Sequence, residues 1–255
     1  MQGAGGENRG AVIVTGASRG IGAAIASLVA AQGYPVVVNF LKDRPAADAV
    51  VRDILSAGGR ATAIQGDVSC EKEIVHLFEA AVLEFGRIEG LVNNAGITGG
   101  FARVDALSAD VLARVLAVNV TGTILCCREA VRRMSTRHGG QGGSIVNISS
   151  LAARLGGSGE WVHYAASKGA VDTFTVGLAR EVADEGIRVN AVAPGLTDTD
   201  FHSPNGEIGR LARLTPSIPM QRPAAPREIA EGVLWLLSPA ASYATGTILE
   251  IGGGR

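Results

Sequence analysis

The chain has 255 residues, of which 47% are hydrophobic and 18% are charged, and its formal net charge at pH 7 is -1. This much apolar material supports a substantial core and excludes the polar, charge-rich composition of a disordered chain. The balanced charge, with no basic run interleaved with aromatic residues, argues against a nucleic-acid partner. A small molecule is therefore the expected partner.

The cysteines and the start of the chain indicate the compartment. Cys70, Cys126 and Cys127 fit neither a disulfide framework nor the CxxC spacing of a zinc site, so we expect a reducing compartment and no metal. Residues 1–10 are polar and glycine-rich, and we expect a flexible tail without the apolar core of a signal peptide. No later run is predicted to span a bilayer, because none combines the required length with an absence of charge. These features predict a cytoplasmic protein with no membrane partner.

Short apolar strands and helical stretches alternate along the chain. The β-branched run at 11–15 is followed by a glycine turn and by a helical stretch at 21–32. The spacing then predicts, in chain order, a strand at 35–40, a helix at 46–57, a strand at 61–65, a helix at 71–85, a strand at 90–93, a long helix at 110–134, a strand at 144–148, a helix at 161–185, a strand at 187–193, a helix at 227–237 and a strand at 247–251.

This alternation predicts one α/β domain over residues 11–255. Parallel strands need crossover connections, and these are right-handed, so helices would cover both faces of a parallel sheet. The expected fold class is a doubly wound, Rossmann-type sheet. The longest irregular segment, 194–226, is expected to carry function because such long loops are uncommon in compact domains.

The glycine turn TGASRGIG at 15–22 lies between the first strand and the first helix, where open sheets bind nucleotides. Glycines let the backbone approach a pyrophosphate, and the helix N-terminus offers unpaired N–H groups. Alone, the turn is equally compatible with a purely steric role. Its predicted cofactor-binding residues are Gly16, Ser18, Arg19, Gly20, Ile21 and Gly22.

The end of the second strand indicates which nicotinamide cofactor is preferred. An acidic residue there would bind the ribose 2′-hydroxyl and repel a 2′-phosphate, but this position is assigned to Asn39. Arg19 and Lys42 could pair with a phosphate. NADP(H) is therefore predicted, with NAD(H) as the alternative; on the opposing interpretation both cations are solvated surface residues.

Tyr164 and Lys168 are four residues apart on a predicted helix, so their side chains share one face. A free phenol has a pKa of about 10, and lowering it by about 3 units requires roughly 4 kcal/mol of preferential phenolate stabilisation. Lys168 and a positively charged nicotinamide ring could supply it, which would make Tyr164 a general acid and base. Tyr-x-x-x-Lys is a common coincidence, but other polar groups, including Ser149 and Ser150, arrive at the same edge of the sheet.

The whole set of motifs resembles the short-chain dehydrogenase/reductase family, from Ala11 to Gly253. The matching motifs are TGASRGIG at 15–22, Asp67-Val68, NNAG at 93–96, Asn119, ISS at 148–150, YAASK at 164–168, Pro194-Gly195 and Thr199. The resemblance implies a sheet of about seven parallel strands and a homotetramer in which the helices at 110–134 and 161–185 pack across subunits. It also implies an oxidoreductase that acts on alcohols and carbonyl compounds with NAD(P) as acceptor or donor.

The resemblance assigns a role to each matching residue. Ser150 would hydrogen-bond the substrate oxygen, Tyr164 would transfer the proton, and Lys168 would hold the nicotinamide ribose and lower the phenol pKa. Asn119 would anchor a water that exchanges protons with Lys168. The cofactor would be contacted by Asp67, Val68, Asn93, Ala95, Gly96, Pro194, Gly195, Thr197 and Thr199. Taken singly, these residues have structural explanations, such as helix-terminal polar groups or a tight turn.

One spacing departs from the family pattern. Ser150 lies fourteen residues before Tyr164, one more than is usual in the family, so the loop through 156–159 is predicted to bulge. The extra residue leaves open whether Ser149 or Ser150 contacts the substrate, and Ser150 is preferred as the second serine of the motif.

The substrate is the least determined feature. The stretch WVHY at 161–164 resembles bacterial glucose dehydrogenases, and a sugar or polyol is expected; the alternative is a 3-oxoacyl-thioester reductase, with an acidic carrier bound by Arg132, Arg133 and Arg137. These arginines also suit a helix C-terminus without any partner. The predicted pocket wall comprises residues 98–101, 151–163 and 194–226, including Phe201, His202 and Met220, and His163 is expected to be a solvated loop residue. A rival of another class is a non-catalytic nucleotide-binding redox sensor.

Overall fold

All seven predicted strands belong to one parallel sheet in the computed structural model, which describes residues 9–199 and 209–255. The order across the sheet is β3-β2-β1-β4-β5-β6-β7, so the predicted fold class is confirmed. The strands are β1 (Ala11–Val14), β2 (Val36–Phe40), β3 (Ala61–Gln65), β4 (Ile88–Asn93), β5 (Gly143–Ile148), β6 (Ile187–Pro194) and β7 (Ile248–Ile251). The expected tail at residues 1–8, and Phe201 and His202, lie outside the described residues.

Helices connect the strands and cover both faces of the sheet. They are α1 (Gly20–Ala31), α2 (Arg44–Ser56), α3 (Glu71–Phe85), α4 (Ala109–Leu116), α5 (Thr123–Met134), α6 (Ala152–Leu155), α7 (Val162–Glu181), α8 (Arg210–Leu214) and α9 (Pro226–Leu237). Helix α2 begins before the predicted boundary because the carboxylate of Asp43 accepts a hydrogen bond from the backbone of Ala46 and caps it. Helix α7 ends earlier than predicted, and its last predicted residues form a 3-10 turn.

Alternate residues of one buried strand belong to opposite sides of the sheet. Val12 and Val14 pack into one core cluster with α1 and α9, whereas Ile13 packs into the second with α3 and α5. Because both faces are buried, the strand is a continuous apolar run without polar alternation. Ile13 pairs with Val37 on one side and with Leu91 on the other, so β1 lies inside the sheet between β2 and β4.

The long predicted helix at 110–134 is interrupted by a π-helical segment, Ala117–Gly122, between α4 and α5. The described run Ala109–Met134 is long and apolar enough to cross a membrane by length and composition, so the expectation that no run meets that criterion is wrong. The physical reason is that its charged residues lie towards its two ends and leave an apolar middle. Core helices of soluble proteins meet the same criterion, and Val115, Cys126 and Met134 are fully buried in this core.

Candidate active site

A cleft of about 550 Å³ lies at the carboxyl ends of the strands, beside the point between β1 and β4 where the strand order reverses. Most of the predicted site residues line it. They are Gly16, Ser18, Arg19, Gly20, Ile21, Gly22, Asn39, Asp67, Val68, Ala95, Gly96, Ser150, Tyr164, Lys168, Pro194, Gly195, Thr197 and Thr199. Asn93 and Asn119 do not line the cleft and lie behind its wall.

The glycine turn before α1 has the backbone shape that a cradle for phosphate requires. Gly16 and Gly20 have φ angles of 62° and 56°, which favour glycine. A Cβ on Gly22 would lie 2.6 Å from the backbone oxygen of Gly16 and 2.5 Å from the amide nitrogen of Asn94. A side chain at Gly22 would therefore collide with the turn at the start of the helix, where backbone N–H groups and the helix dipole favour an anion.

Asn94 holds this turn, a role that the sequence analysis did not assign. Its amide nitrogen donates to the backbone oxygens of Thr15 at 2.9 Å and Gly16 at 3.0 Å. The hydroxyl of Thr15 in turn accepts hydrogen bonds from the backbone N–H groups of Asn94 and Ala95. These bonds tie the end of β4 to the glycine turn and fix two sides of the cleft together.

Asn39 supports the same turn from the second strand. Its side chain is buried; its oxygen accepts from the N–H of Gly16 at 3.3 Å, and its nitrogen donates to the backbone oxygens of Gly66 and Ile64. The amide is thus engaged with the protein backbone. Of the cations predicted beside it, Arg19 lines the cleft, and so does Lys42.

Asp67 is paired with Arg114, which the sequence analysis missed. Their side chains meet at 3.0 Å, and Arg114 also donates to the hydroxyl of Ser69 at 2.5 Å. Burial alone would raise the pKa of Asp67, but hydrogen bonds from Ser69 and Arg114 outweigh it and hold the pKa below its usual range. An ionised carboxylate and a guanidinium therefore lie side by side at this end of the cleft.

Tyr164 and Lys168 both reach the cleft from the first turns of α7, and the hydroxyl of Tyr164 is hydrogen-bonded to Ser150. Burial raises the pKa of Tyr164 to about 12, against the opposing effects of Ser150 and of the positive charge on Arg210. The lowering predicted from the sequence, by Lys168 and a nicotinamide ring together, would have to overcome this effect of enclosing the phenol in protein. Burial also lowers the pKa of Lys168 to about 8, and Asp172 partly opposes this.

Ser149 and Ser150 point in different directions at the end of β5. Both serines line the cleft, but Ser149 is buried with its hydroxyl 3.5 Å from the backbone oxygen of Lys168, whereas Ser150 is hydrogen-bonded to Tyr164. The contact of Ser150 with the substrate stays a prediction. The extra residue before Tyr164 lies in a connection that contains α6 and a glycine turn, 156–159, with three glycines at positive φ.

Asn119 lies in the π-helical segment and braces the site from behind. Its oxygen accepts from the N–H of Ile97, and its nitrogen donates to the backbone oxygen of Ile97 and to the hydroxyl of Ser167, each at 2.9–3.0 Å. Ser167 in turn donates to the backbone oxygen of Tyr164 at 2.7 Å. One side chain thereby links the segment after β4 to the helix that carries Tyr164. Single π-helical turns are frequent at functional sites.

Asn93 has a comparable place under the sheet edge. Its amide nitrogen donates to the side-chain oxygen of Asn147 at 2.9 Å and to the sulfur of Cys127 at 3.2 Å. Asn147 donates onward to the hydroxyl of Thr175. The Asn93 side chain thus belongs to a buried hydrogen-bond network that joins β4, α5, β5 and α7, and the contact of Asn93 with the cofactor stays a prediction.

The remaining end of the cleft has mostly apolar walls. Leu151, Leu155, Trp161 and Leu196 line it, and the Trp161 ring stacks on Phe101 with a centroid distance of 4.9 Å. Among the described residues, charged residues that also line the cleft include Arg255 and the pair Glu160 and Arg210, whose closest atoms are 2.7 Å apart.

Two predicted wall residues are elsewhere. His163 is buried, and its Nε2 lies 2.8 Å from the backbone oxygen of Thr98, so it is not the solvated residue expected from the sequence. Met220 is 60% exposed and does not line the cleft.

Comparisons with known proteins decide the family. The family model described as enoyl-(acyl carrier protein) reductase matches residues 16–255. The uncharacterised oxidoreductase YgfF of Escherichia coli is 50% identical over 95% of this chain and 98% of its own length. The chain belongs to the short-chain dehydrogenase/reductase family.

Other members of the family support the same assignment. The 3beta-hydroxysteroid dehydrogenase 1 of Eggerthella lenta is 41% identical, with coverage of 95% of this chain and 92% of that protein. Relatives at 40% and 38% identity include a 3-oxoacyl-[acyl-carrier-protein] reductase of Synechocystis and glucose 1-dehydrogenase 2 of Bacillus subtilis, the two kinds of enzyme that the sequence resembled; each match covers 95% of this chain and at least 93% of the relative. The solved short-chain dehydrogenase/reductase of Serratia marcescens superposes with a TM-score of 0.89 at 35% identity, over 98% of this chain and 99% of that one.

The three basic residues considered for carrier binding are engaged within this family member. Arg132 and Arg133 both pair with Glu129, at 2.8 Å and 2.6 Å. Arg137 pairs with Asp184 at 2.6 Å and with Glu185 at 3.1 Å. These contacts agree with the helix-terminal interpretation of the three arginines.

Proposed function

We propose that this chain is an NADP(H)-dependent oxidoreductase that interconverts a secondary alcohol and a carbonyl compound, with Tyr164 as general acid and base. The observation that carries the proposal is the meeting of Ser150, Tyr164 and Lys168 in the cleft that also contains the glycine turn. Bound NADP(H) would accept or deliver the hydride at the nicotinamide C4.

The residues on the cofactor side suit such a ligand. Gly16, Gly20 and Gly22 leave the start of α1 without side-chain bulk, as a pyrophosphate requires. The amide of Asn39 is bonded to the backbone and is not available to a 2′-phosphate. We therefore assign that phosphate to Arg19 and Lys42, which line the cleft and are positively charged. Asp67 and Val68 would flank the adenine, and Thr197 and Thr199 would approach the nicotinamide end. NAD(H) remains the alternative cofactor.

The proton-transfer roles follow from the contacts of each side chain. Ser150 would donate a hydrogen bond to the substrate oxygen and align it with the Tyr164 hydroxyl. In carbonyl reduction Tyr164 would donate its proton to that oxygen, and in alcohol oxidation it would remove the hydroxyl proton. Lys168, whose Nζ lies 5.8 Å from the centre of the Tyr164 ring, would stabilise the phenolate and contact the ribose. Asn119 would anchor the water through which Lys168 exchanges protons with solvent.

The walls of the substrate end favour an alcohol or ketone on an apolar ring or chain. Leu151, Leu155, Trp161 and Leu196 offer contact area but no hydrogen-bonding oxygen, which suits a free sugar poorly. The name of the Eggerthella relative indicates a substrate of this apolar kind. A sugar or polyol and a 3-oxoacyl thioester are the competing substrates. A redox sensor would not need Ser150, Tyr164 and Lys168 in one cleft.

A homotetramer is proposed from the resemblance and from exposed apolar side chains. Leu116 and Ile124, on the helical run Ala109–Met134, are 39% and 37% exposed. A partner subunit that covered them would remove this apolar surface from water. The cytoplasmic location stays a prediction, and the free thiols of Cys70, Cys126 and Cys127 agree with a reducing compartment.

The test is a panel of glucose, a 3-oxoacyl thioester, cyclic ketones and a hydroxysteroid, assayed with NADPH/NADP+ and NADH/NAD+. Tyr164→Phe should lower turnover by about two to four powers of ten while NADPH binding survives. Tyr243→Phe is the matched control, because this tyrosine is fully exposed and should leave turnover unchanged. Wild-type turnover in Tyr164→Phe would rule out the mechanism. Faster turnover of glucose than of the cyclic substrates would overturn the substrate class.

A further inference from the structure

Arg210 is a buried cation in the wall of the catalytic cleft. It lies at the start of α8, is 7% exposed and lines the cleft together with Tyr164. Its guanidinium carbon lies 4.3 Å from the centre of the Trp161 ring, and the centres of the Trp161 and Tyr164 rings are 5.7 Å apart. Trp161 is therefore the surface on which the guanidinium lies beside Tyr164.

Glu160 fixes this guanidinium in place. One carboxylate oxygen lies 2.7 Å from Nη2 of Arg210, and the other lies 2.7 Å from Nη2 of Arg213. Burial alone would raise the pKa of Glu160, but the hydrogen bonds from the two arginines outweigh it and lower the pKa. Glu160 is thus an ionised carboxylate that links the connection before α7 to α8 across the cleft.

Each polar group around the Tyr164 hydroxyl comes from a different element. Ser150, after β5, is hydrogen-bonded to it, and Arg210, from α8, exerts a favourable charge effect on the phenolate. Lys168, on α7, has its Nζ 5.8 Å from the centre of the Tyr164 ring and donates to the backbone oxygen of Ile148. The neighbouring His163 ring contacts the backbone oxygen of Thr98 instead.

The charges behind this first set are those of Glu160, which pairs with both Arg210 and Arg213, and of Asp172, whose charge acts on Lys168. Burial strongly disfavours the phenolate, so a nearby cation has a large effect on it. Burial also disfavours the charged form of Lys168 and lowers its pKa to about 8. A guanidinium keeps its proton under these conditions, which makes Arg210 the more constant source of positive charge.

We propose that Arg210 is a positioning residue for proton transfer: held over Trp161 by Glu160, its guanidinium stabilises the Tyr164 phenolate. The inference rests on the proposed role of Tyr164. It assigns to α8 a part in the chemistry as well as in the shape of the substrate end.

The test measures the ionisation of Tyr164 in the free protein, without substrate or cofactor. The ultraviolet absorbance of tyrosinate is recorded directly after a stopped-flow jump to about pH 12, where the midpoint of the wild type is expected, before the chain unfolds. Circular dichroism verifies the fold over the same interval. Subtracting the signal of Tyr164→Phe isolates this residue from the other two of the three tyrosines.

Two charge changes should act in opposite directions. Arg210→Gln should lower the ionised fraction of Tyr164 from about one half to about one tenth, which is a shift of about one pH unit. Glu160→Gln removes the negative charge beside the guanidinium but keeps a side-chain oxygen that can accept from Arg210, so it should raise the ionised fraction above one half. Arg210→Lys keeps the charge and should stay near the wild-type value. General loosening of the wall cannot produce opposite signs.

An unchanged ionised fraction in Arg210→Gln would overturn the proposal, and so would shifts of the same sign in Arg210→Gln and Glu160→Gln. If Arg210→Gln does not fold, Glu160→Gln decides alone, since an unchanged or lower ionised fraction contradicts the proposed charge effect. The titration involves no turnover. Its failure would therefore leave the oxidoreductase reaction to be judged by the substrate panel.

Discussion

The ammonium of Lys168 donates a hydrogen bond of 2.7 Å to the backbone oxygen of Ile148, the last residue of β5. Ser150 follows two residues later and is hydrogen-bonded to Tyr164. The end of β5 therefore carries Ser150, binds the ammonium of Lys168 through Ile148, and orients Tyr164 through Ser150. Because β5 lies inside the sheet, with β4 and β6 hydrogen-bonded on either side, these groups are fixed by a strand that is paired along both edges.

Lys168→Met should increase stability at neutral pH. Burial lowers the pKa of Lys168 from 10.5 to about 8, so below pH 8 the folded chain must hold a buried charge that the unfolded chain holds in water. Between about pH 8 and 10.5 the unfolded chain binds a proton that the folded chain has released, and stability rises with pH. The variant should be more stable at pH 7 by up to about 3 kcal/mol, less the lost bond to Ile148, and this advantage should shrink towards pH 10.5.

Urea unfolding of wild type and Lys168→Met at a series of pH values from 7 to 10 measures this difference. Lys72→Met, at an exposed position on α3, is the control and should show no such pH dependence. A constant difference between wild type and Lys168→Met across that range would mean that the lysine is not a destabilising buried cation.

The sequence predicted the sheet well because its elements leave local signals. A buried parallel strand is a short apolar run, and each run here is followed by a turn and a helical pattern. The same rhythm places the glycine turn, Ser150 and Tyr164 at one edge of the sheet, since the carboxyl ends of parallel strands share an edge. The order of residues along the chain was therefore enough to predict at which edge of the sheet the site lies, but not how its side chains are arranged.

The directions of individual side chains were harder to predict. Strand β2 reads VVVNF and is buried throughout, so no polar alternation indicates which way Asn39 points. The sequence assigned it to the cofactor, and the structure shows its amide bonded to the backbone at Gly16, Ile64 and Gly66. The ion pair between Glu160 and Arg210 joins residues 50 apart, and no local pattern signals such a contact.

Replacing Arg19 and Lys42 by alanine together should weaken NADPH binding by roughly tenfold to a hundredfold and leave NADH binding nearly unchanged, because charge-assisted bonds to a phosphate would be lost. Isothermal titration calorimetry with both cofactors measures the two dissociation constants. Arg52→Ala, at an exposed position on α2, is the control. An equal loss for both cofactors, or tighter NADH binding by the wild type, would contradict the assigned preference.

Asn39→Ala should give a different result. Since Asn39 accepts from the N–H of Gly16, its loss should weaken the binding of NADH and of NADPH by the same factor. It should also lower the free energy of unfolding by about 1–3 kcal/mol, because buried backbone groups lose their partners. Calorimetry and urea unfolding measure both effects. A selective loss of NADPH binding would instead show that Asn39 contacts the 2′-phosphate.

Asn119→Asp should destabilise the protein although it conserves size and shape. A carboxylate can accept from the N–H of Ile97 but cannot donate to the backbone oxygen of Ile97 or to Ser167. Two hydrogen bonds are therefore lost, and a negatively charged oxygen faces the backbone oxygen of Ile97. The free energy of unfolding should fall by about 2–4 kcal/mol at pH 7 and recover partly in mild acid, where the carboxyl can donate. A variant as stable as the wild type at pH 7 would show that this amide does not brace the site.

Gly22→Ala and Gly177→Ala place the same methyl group on two helices with opposite expected results. At Gly22 the new Cβ would lie 2.6 Å from the backbone oxygen of Gly16, so the turn must shift, and the affinity for both nicotinamide cofactors should fall at least tenfold. At Gly177, on α7, no atom lies within 4 Å of the new Cβ, and alanine should stabilise the helix by about 0.5–1 kcal/mol. Cofactor titration and thermal unfolding of both variants provide the comparison. Unchanged cofactor affinity in Gly22→Ala would separate the glycine turn from nucleotide binding, because the turn would then tolerate the bulk that a close-lying pyrophosphate forbids.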